Sequence, residues 1–430
     1  MLNLLCDFAS VMKTVGYVLL AFVVLMVMVL IHETGHYTAG KILGFQINEF
    51  SVGMGPKLIS KKRKNGEIFS LRLLPLGGYC AFEGENDDTD NPKAFHKQKP
   101  WKRLIVLFSG AFFNFISAIL IAIIAFSCYG ETVVVVNDIY EYAPQANREL
   151  HQDDIVYKIN GRRVYMLDSL SRYLSDDEME VVVLRYNDDN GKYEQVSLKG
   201  ITQQKFTTVV LTKVNGEFYS IDGQRKLQLN DTLYRLNGDL LSRSDDWRTH
   251  FDVASDTLVL TVYEGGTEYQ YQVSKSDFYN NSLVAEEQSY TGIGMSVHYD
   301  RYKFGFGEVL VRVVPYCCEV GMLVLRTLGG LLTGKVGIDS VGGPITTISM
   351  TTQVVQTGFG NVLMLIVLIS VNLAVFNLLP VPALDGCQMV FVIIEWIAGK
   401  PINRKVQAYI NGIGLVVLIV LMILIDLLKL

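Results

Sequence analysis

The stretch VMVLIHETGHYTAGKILGF (residues 27–45) places two histidines and a glutamate at the end of a strongly apolar run. An ionisable side chain at the centre of a membrane helix costs about 2.5–3.5 kcal/mol on insertion scales. Residues of this kind are therefore rare at that depth, and they mark functional sites where they occur. The alternative interpretation is an N-terminal membrane anchor whose polar end has no function.

Four uncharged apolar runs explain why half of the 430 residues are hydrophobic. Each run approaches or exceeds the ~20 residues that cross a bilayer as a helix. The runs cover residues 14–31, 104–129, a segment centred on 361–384, and 406–425. No basic segment precedes the first run and no small-residue cleavage site follows it, so we expect a retained anchor rather than a signal peptide. The sequence predicts a polytopic α-helical membrane protein with about four transmembrane helices.

Lysine and arginine cluster after the first run, before the second run, and between the last two runs. Loops rich in these residues face the cytoplasm by the positive-inside rule. Both termini and residues 130–301 are then expected on the opposite side of the membrane.

The region between the second and third runs contains an internal repeat. DIVYKINGRRV begins at Asp154 and DTLYRLNGDLL begins at Asp231, an offset of 77 residues. Each copy joins an apolar-alternating strand to an Asn-Gly pair, a strong signal for a β-hairpin. We expect two β-rich domains at residues 131–204 and 205–290. One irregular β domain with a chance resemblance is the alternative.

Two further segments carry recognisable patterns. The Asn65-Gly66 pair lies between strand-like runs and predicts a β-hairpin over about 57–82, inside an N-terminal membrane core of residues 1–130. Charged residues at 308, 312, 319 and 326 share one helix face, which predicts an amphipathic membrane-associated segment over 291–350. Residues 351–430 form the C-terminal membrane core in this interpretation.

His32 and His36 are four residues apart, so on a helix they share one face and can bind one metal ion. Glu33 follows a quarter of a turn away and can act as a general base toward water. This HExxH spacing is typical of zinc peptidases, which use three protein ligands. In the predicted topology, Asp385 of NLAVFNLLPVPALDGC lies at the same depth as His36 and is the expected third ligand. A helix-terminal Asp-Gly turn is the alternative interpretation of Asp385.

The combined motifs resemble the site-2 proteases, specifically the bacterial branch that performs regulated intramembrane proteolysis. HETGH, FSVGMGPKL (50–58), GGPITT (342–347), NLLPVPALDG (377–386) and the repeats carry the resemblance over nearly the whole chain. It implies two extracytoplasmic PDZ-like domains and zinc bound by His32, His36 and Asp385, with Glu33 as the catalytic base. It further implies substrate contacts by four residues near the centre: Asn372, Asn377, Pro380 and Pro382.

The resemblance implies a zinc-dependent intramembrane endopeptidase of the bacterial plasma membrane, with its active site near the cytoplasmic side. Its substrates would be single-span membrane proteins that are already shortened, such as anti-sigma factors or remnant signal peptides. We expect a monomer in the lipid bilayer that has no nucleic-acid partner. The two β domains would act as a size filter or, alternatively, as a peptide-binding sensor.

Two other functional classes compete with the protease. A non-catalytic membrane scaffold that displays PDZ domains would not need the base Glu33. A metal transporter would distribute ionisable residues over several spans, whereas here they concentrate at one site. Within the protease interpretation, we expect an edge strand near residues 68–73 to pair with the unwound substrate.

Overall fold

The computed structural model describes residues 2–85, 89–140, 143–241, 255–264, 267–337 and 342–427. The chain forms two compact units. The first unit combines Met1–Glu131 with Lys303–Leu430, and the second unit comprises Thr132–Tyr302. The second unit is therefore an insertion between the two halves of the first.

Among the described residues, four helices are long and apolar enough to cross a membrane. These spans are Gly16–Leu43, Pro100–Tyr129, Phe359–Leu378 and Arg404–Leu427. They coincide with the four apolar runs of the sequence, which confirms that prediction. The protein is a multi-pass membrane protein with additional β-sheets.

Helices are numbered along the whole chain. The first unit contains α1 (Leu2–Leu43), α2 (Pro100–Tyr129), α5 (Phe306–Leu332), α6 (Pro344–Gln356), α7 (Phe359–Leu378), α8 (Asp385–Ala398) and α9 (Arg404–Leu427). Helix α2 packs against α1, α7 and α8, and much of its buried surface is glycine and alanine. Small residues allow membrane helices to approach closely, so α2 can form the centre of this bundle.

Two long strands of the first unit, β1 (Ile47–Lys62) and β2 (Ile68–Phe82), each fold back and pair twice. Val52 pairs with Gly78 on one side and with Leu71 on the other. The segments therefore lie in the order 57–62, 68–72, 47–52, 78–82. Gly53, at φ +84°, allows β1 to bend where a side chain would collide with the Leu74 carbonyl oxygen.

The expectation of an edge strand near residues 68–73 is wrong. Segment 68–71 pairs with β1 residues on both sides, so its backbone groups already have partners within the sheet. The hairpin pattern did not show that both strands fold over each other. The two edges of this sheet are segments 57–62 and 78–82.

The second unit contains two sheets with equivalent strand order. The first sheet has the order β14-β3-β4-β6-β7, and the second has the order β13-β8-β9-β11-β12. Their strands are β3 (Glu131–Ile139), β4 (Ile155–Ile159), β6 (Met179–Asn187), β7 (Lys192–Ile201), β8 (Gln204–Val214), β9 (Thr232–Leu236), β11 (Thr257–Glu264), β12 (Thr267–Ser274), β13 (Leu283–Gly292) and β14 (Met295–Tyr302). Short strands β5 (Arg162–Arg163) and β10 (Asp239–Leu240) and helices α3 (Leu167–Tyr173) and α4 (Lys275–Tyr279) complete the unit.

The internal repeat is visible in the backbone. Asn160 and Gly161 in one copy, and Asn237 and Gly238 in the other, have positive φ angles and turn the chain between paired strands. Helix α3 follows the turn of the first copy, and residues 242–254, which follow the turn of the second copy, lie outside the described residues. Each sheet packs on its own apolar cluster.

The second sheet is inserted into the first one. Strand β14 closes the first sheet next to β3, although β8 to β13 of the second sheet lie between them in sequence. Thus residues 295–302, within the expected amphipathic segment 291–350, belong to a sheet. Arg312, expected on a polar helix face, is buried and donates to the equally buried Glu131, with nitrogen and oxygen 2.6 Å apart.

Candidate metal centre

The last turns of α1 present His32 and His36 on the side that faces α2. Both side chains are buried, each with 7% of its surface exposed, and their rings meet edge to face at 4.6 Å. The helix continues to Leu43 without interruption. The regular spacing of four residues is therefore enough to place the two imidazoles side by side.

Asp385 reaches the histidines from the opposite end of the sequence. Helix α7 ends at Leu378, a loop containing Pro380 and Pro382 follows, and α8 begins with Asp385. The next residue, Gly386, packs so tightly that an added Cβ would lie 2.2 Å from the Leu379 carbonyl oxygen. Glycine at this position therefore allows α8 to start close enough for the carboxylate to reach α1.

Three side-chain atoms converge at the centre. Asp385 Oδ2 lies 2.9 Å from His32 Nε2 and 3.2 Å from His36 Nε2, and the two nitrogens are 3.0 Å apart. Ligand atoms bound tetrahedrally to zinc at about 2.0–2.2 Å lie about 3.3–3.6 Å from one another, a few tenths of an ångström more than these three distances. Two imidazoles and one carboxylate are also a known ligand set for catalytic zinc. Both the donor set and the triangle therefore fit a zinc ion.

Contacts on the far side of each imidazole fix its orientation. The Val106 carbonyl oxygen lies 2.8 Å from His36 Nδ1 and accepts its proton, which leaves Nε2 free for a metal. The Asn377 and Asn114 amides lie 3.3 Å and 3.5 Å from His32 Nδ1. Zinc-binding histidines usually have a partner of this kind on the other ring nitrogen.

Glycines in α1 and α2 keep the centre open. An added Cβ at Gly110 would lie 2.5 Å from His36 Nε2 and 2.6 Å from His32 Cε1. An added Cβ at Gly35 would lie 2.4 Å from the Ser109 carbonyl oxygen. The two helices therefore cross at a contact that only glycine permits. Sequence reasoning missed Gly110 and Asn114, because SGAFFNF reads as ordinary membrane-helix packing.

Glu33 lies beside the ligand triangle and next to the sheet. The Cys80 backbone lies within hydrogen-bonding reach of its carboxylate. An added Cβ at Gly78 would lie 3.8 Å from Glu33 Cγ. Edge segment 78–82 therefore runs past the expected catalytic base, whereas the other edge, 57–62, is separated from it by two segments of the sheet.

The four expected substrate-binding residues occupy different positions. Asn377 contacts His32, as described above. The Oδ1 atom of Asn372 is buried and has no hydrogen-bond partner among the described residues. Pro380 is exposed in the loop before α8, and Pro382 packs against Gly414 of α9. Among these four residues, all in the described part of the chain, only Asn377 lies within hydrogen-bonding distance of a candidate ligand.

A cavity of about 610 Å³ lies in the first unit between α2, α8 and the start of α9. Its lining includes Glu85, His96, Arg103 and Glu395. Burial raises the pKa of Glu85, which also interacts electrostatically with His36 and Asp385. The cavity lining also includes Gln388, three residues after Asp385 on α8.

The profile of peptidase family M50 matches residues 20–421. The chain belongs to this family, the site-2 protease family. Proteins from Clostridium perfringens and Agrobacterium fabrum are each 26% identical to it, over 95% of this chain and 97% and 94% of their own lengths. A Neisseria meningitidis protein is 27% identical over 94% of this chain and 97% of its own length. The names of all three describe zinc metalloproteases, so this M50 member is a membrane metalloprotease whose cofactor is zinc.

Proposed function

We propose that this M50 protein is an intramembrane endopeptidase that cleaves single-span membrane proteins within or near the bilayer. One observation carries the proposal. His32 and His36 on α1 meet Asp385 on α8 inside a bundle of membrane-spanning helices. A catalytic group at that location acts on peptide bonds that reach the same depth.

The proposed roles follow from the geometry. His32, His36 and Asp385 would hold the zinc ion. When bound, zinc lowers the pKa of water toward ~7 and polarises a substrate carbonyl. The Glu33 carboxylate would take a proton from the attacking water and deliver it to the nitrogen of the leaving amine. The Cys80 backbone, next to Glu33, would keep that carboxylate oriented.

Substrate presentation would use the sheet edge next to Glu33. A transmembrane helix satisfies its own peptide groups, so the segment to be cleaved must unwind and needs new hydrogen-bond partners. Pairing with segment 78–82 would supply them as an added strand. Asn372 and Asn377 would bind further freed backbone groups, and Pro380 and Pro382 would shape the adjacent loop.

The inserted unit would select substrates by size. By the positive-inside rule, Thr132–Tyr302 faces away from the cytoplasm, and its two sheets would be PDZ-like domains. A bulky outer domain on a substrate would then be excluded, so cleavage would follow an earlier trimming step. Shortened anti-sigma factors and remnant signal peptides are the proposed substrate classes.

A reconstituted assay tests the proposed activity. Purified protein in lipid nanodiscs is incubated with a single-span substrate that has a short outer segment, with and without a zinc chelator. We expect cleavage inside the span that stops with chelator and returns with added zinc. Intact substrate at full zinc occupancy would contradict the proposal and favour the scaffold.

A deletion tests the size filter separately. Residues 132–302 are replaced by a flexible linker, because a shorter deletion would leave β14 without its sheet. Glu131 and its partner Arg312 remain in place. We expect the variant to cleave the trimmed substrate and also one with an intact outer domain. Rejection of the untrimmed substrate by an otherwise active variant would rule out the filter.

A further inference from the structure

Asn114 lies on α2, one turn after Gly110, with none of its surface exposed. Its Nδ2 atom is 3.5 Å from His32 Nδ1. Its Oδ1 atom is buried and has no hydrogen-bond donor among the described residues. A buried amide oxygen without a donor is costly, so this side chain needs an explanation.

The contacts of His32 Nε2 determine whether the ring nitrogen next to Asn114, Nδ1, carries a proton. His32 Nε2 lies 2.9 Å from Asp385 Oδ2 and 3.0 Å from His36 Nε2, at the position of a metal ligand. A metal-binding nitrogen carries no proton, so the single ring proton must then be on Nδ1. An N–H group at Nδ1 requires an acceptor, and an amide NH₂ group cannot serve as one.

We propose that Asn114 is a positioning residue for zinc, whose amide oxygen accepts the Nδ1 proton of His32. A half-turn of the amide exchanges its oxygen and nitrogen and brings Oδ1 to His32. The oxygen gains a donor, and His32 is held in the tautomer and orientation that zinc requires. The assignment rests on the zinc dependence of the family and not on the proposed intramembrane cleavage.

Asn377 is the competing partner, at 3.3 Å from the same ring nitrogen. The Nδ1–H group of His32 points in one direction and can donate one good hydrogen bond. We choose between the two amides as its acceptor by their burial. Asn114 is fully buried, and its backbone carbonyl accepts a 2.7 Å hydrogen bond from Ser370, which fixes this turn of α2 against α7. Asn377 is partly exposed in the last turn of α7, so it can turn toward substrate. The two asparagines therefore have separate roles.

Zinc affinity of the purified full chain, measured by competition with a chromophoric chelator, tests the assignment. We expect Asn114→Leu, which keeps most of the volume, and Asn114→Ala to weaken zinc binding about 10- to 100-fold. Asn114→Asp retains an acceptor and should stay within about three-fold of the wild type, as carboxylate–histidine–zinc arrangements do. The matched variant Asn377→Ala should also retain zinc but raise KM.

Cobalt substitution gives a second readout that is independent of proteolysis. The visible spectrum of the cobalt form should change in Asn114→Leu and not in Asn114→Asp, because only the former leaves His32 without an acceptor. Thermal unfolding of the metal-free variants controls for folding. Wild-type zinc affinity in Asn114→Leu, or a loss in Asn114→Asp as large as in Asn114→Leu, would overturn the proposal. If Asn114→Ala does not fold, the Asn114→Leu and Asn114→Asp variants still test the proposal.

Discussion

Two regions meet at Glu33, and they are built in different ways. The ligand triangle uses side chains from α1 and α8, and a change of one atom type alters its chemistry. Edge segment 78–82 uses backbone groups, and its sequence GYCAF contains no charged side chain. The first region would bind one metal, whereas the second would accept many substrate sequences. Side-chain contacts provide selectivity, and backbone pairing provides tolerance.

The comparison also predicts which substitutions each region tolerates. The centre should lose zinc binding or activity when a side chain is added, removed or exchanged. The edge should lose substrate pairing only when a backbone donor is removed or the strand is bent. The predictions below test this division, from the largest expected effect to the smallest.

Gly110→Ala should abolish both zinc binding and cleavage, although it removes no polar atom. The new Cβ would lie 2.5 Å from His36 Nε2 and would push the imidazoles off their positions. Metal analysis of the purified protein measures the loss. Gly412→Ala, on a lipid-exposed helix with nothing within 4 Å of the new Cβ, is the control and should behave as wild type. Full zinc occupancy in Gly110→Ala would show that the centre tolerates the added side chain.

Glu33→Gln should retain zinc and lower the cleavage rate about 10²- to 10⁴-fold, since only the general base is lost. Zinc content and rate are measured on the same preparation. Thr34→Ala changes the neighbouring residue, whose hydroxyl donates to the Leu30 carbonyl, and should have little effect. Wild-type turnover by Glu33→Gln would exclude the proposed mechanism.

Asp385→Asn should weaken zinc binding and lower activity in proportion, because a neutral amide is a poor zinc ligand. His32→Ala and His36→Ala should remove the metal outright. The decisive measurement is a zinc-loaded structure in which an Asp385 oxygen lies about 2.0–2.2 Å from the ion. A different third ligand in that structure would disprove the assignment.

Cys80→Pro should reduce cleavage while zinc is retained, because proline removes a backbone N–H donor from the edge. The cleavage rate of Cys80→Ala should stay within about three-fold of wild type, because alanine keeps that N–H. The Glu83 N–H donates to the Gln46 carbonyl, so alternation along the strand turns the Cys80 N–H outward, toward Glu33. Ser60→Pro, whose N–H faces outward on the opposite edge, is the matched control and should be mild.

A helix-destabilised substrate separates two causes of a Cys80→Pro defect. If the edge presents substrate, a segment that unwinds easily should partly restore cleavage. An equal defect on both substrates would assign the loss to Glu33 orientation instead. Wild-type cleavage by Cys80→Pro would show that the edge does not pair with substrate.

Sequence patterns predicted the parts of this molecule that depend on local spacing. The histidine pair follows from helical periodicity and the four spans follow from hydropathy. The Asn-Gly turns of the hairpin and of the two repeats follow from the residues they contain. Periodicity could not predict the role of Asp385, because this residue lies 353 residues from His32 in the sequence. Predicted topology and family resemblance together made it a candidate ligand, and the structure brings it to the histidines.

The parts that remained hidden depend on contacts between distant segments. Gly110 and Asn114 look like packing residues until α2 is placed against His32 and His36. The four-segment arrangement of β1 and β2 requires both strands to bend, at Gly53 in β1 and at Gly77 in β2, which both have positive φ angles. A hairpin signal predicts only one pairing. Strand β14 follows a complete second sheet, so nothing near it in sequence indicates that it completes the first.

The nested position of β14 has a consequence for synthesis of the chain. The first sheet cannot close until Tyr302 has been made, roughly 100 residues after β7 ends at Ile201. At about 5–20 residues per second, that interval lasts about 5–20 s. All strands of the second sheet are complete by Gly292, before β14 begins at Met295. Of the two sheets in the second unit, the one that begins first is therefore the last to be finished, and its open edge at β3 needs protection in the meantime.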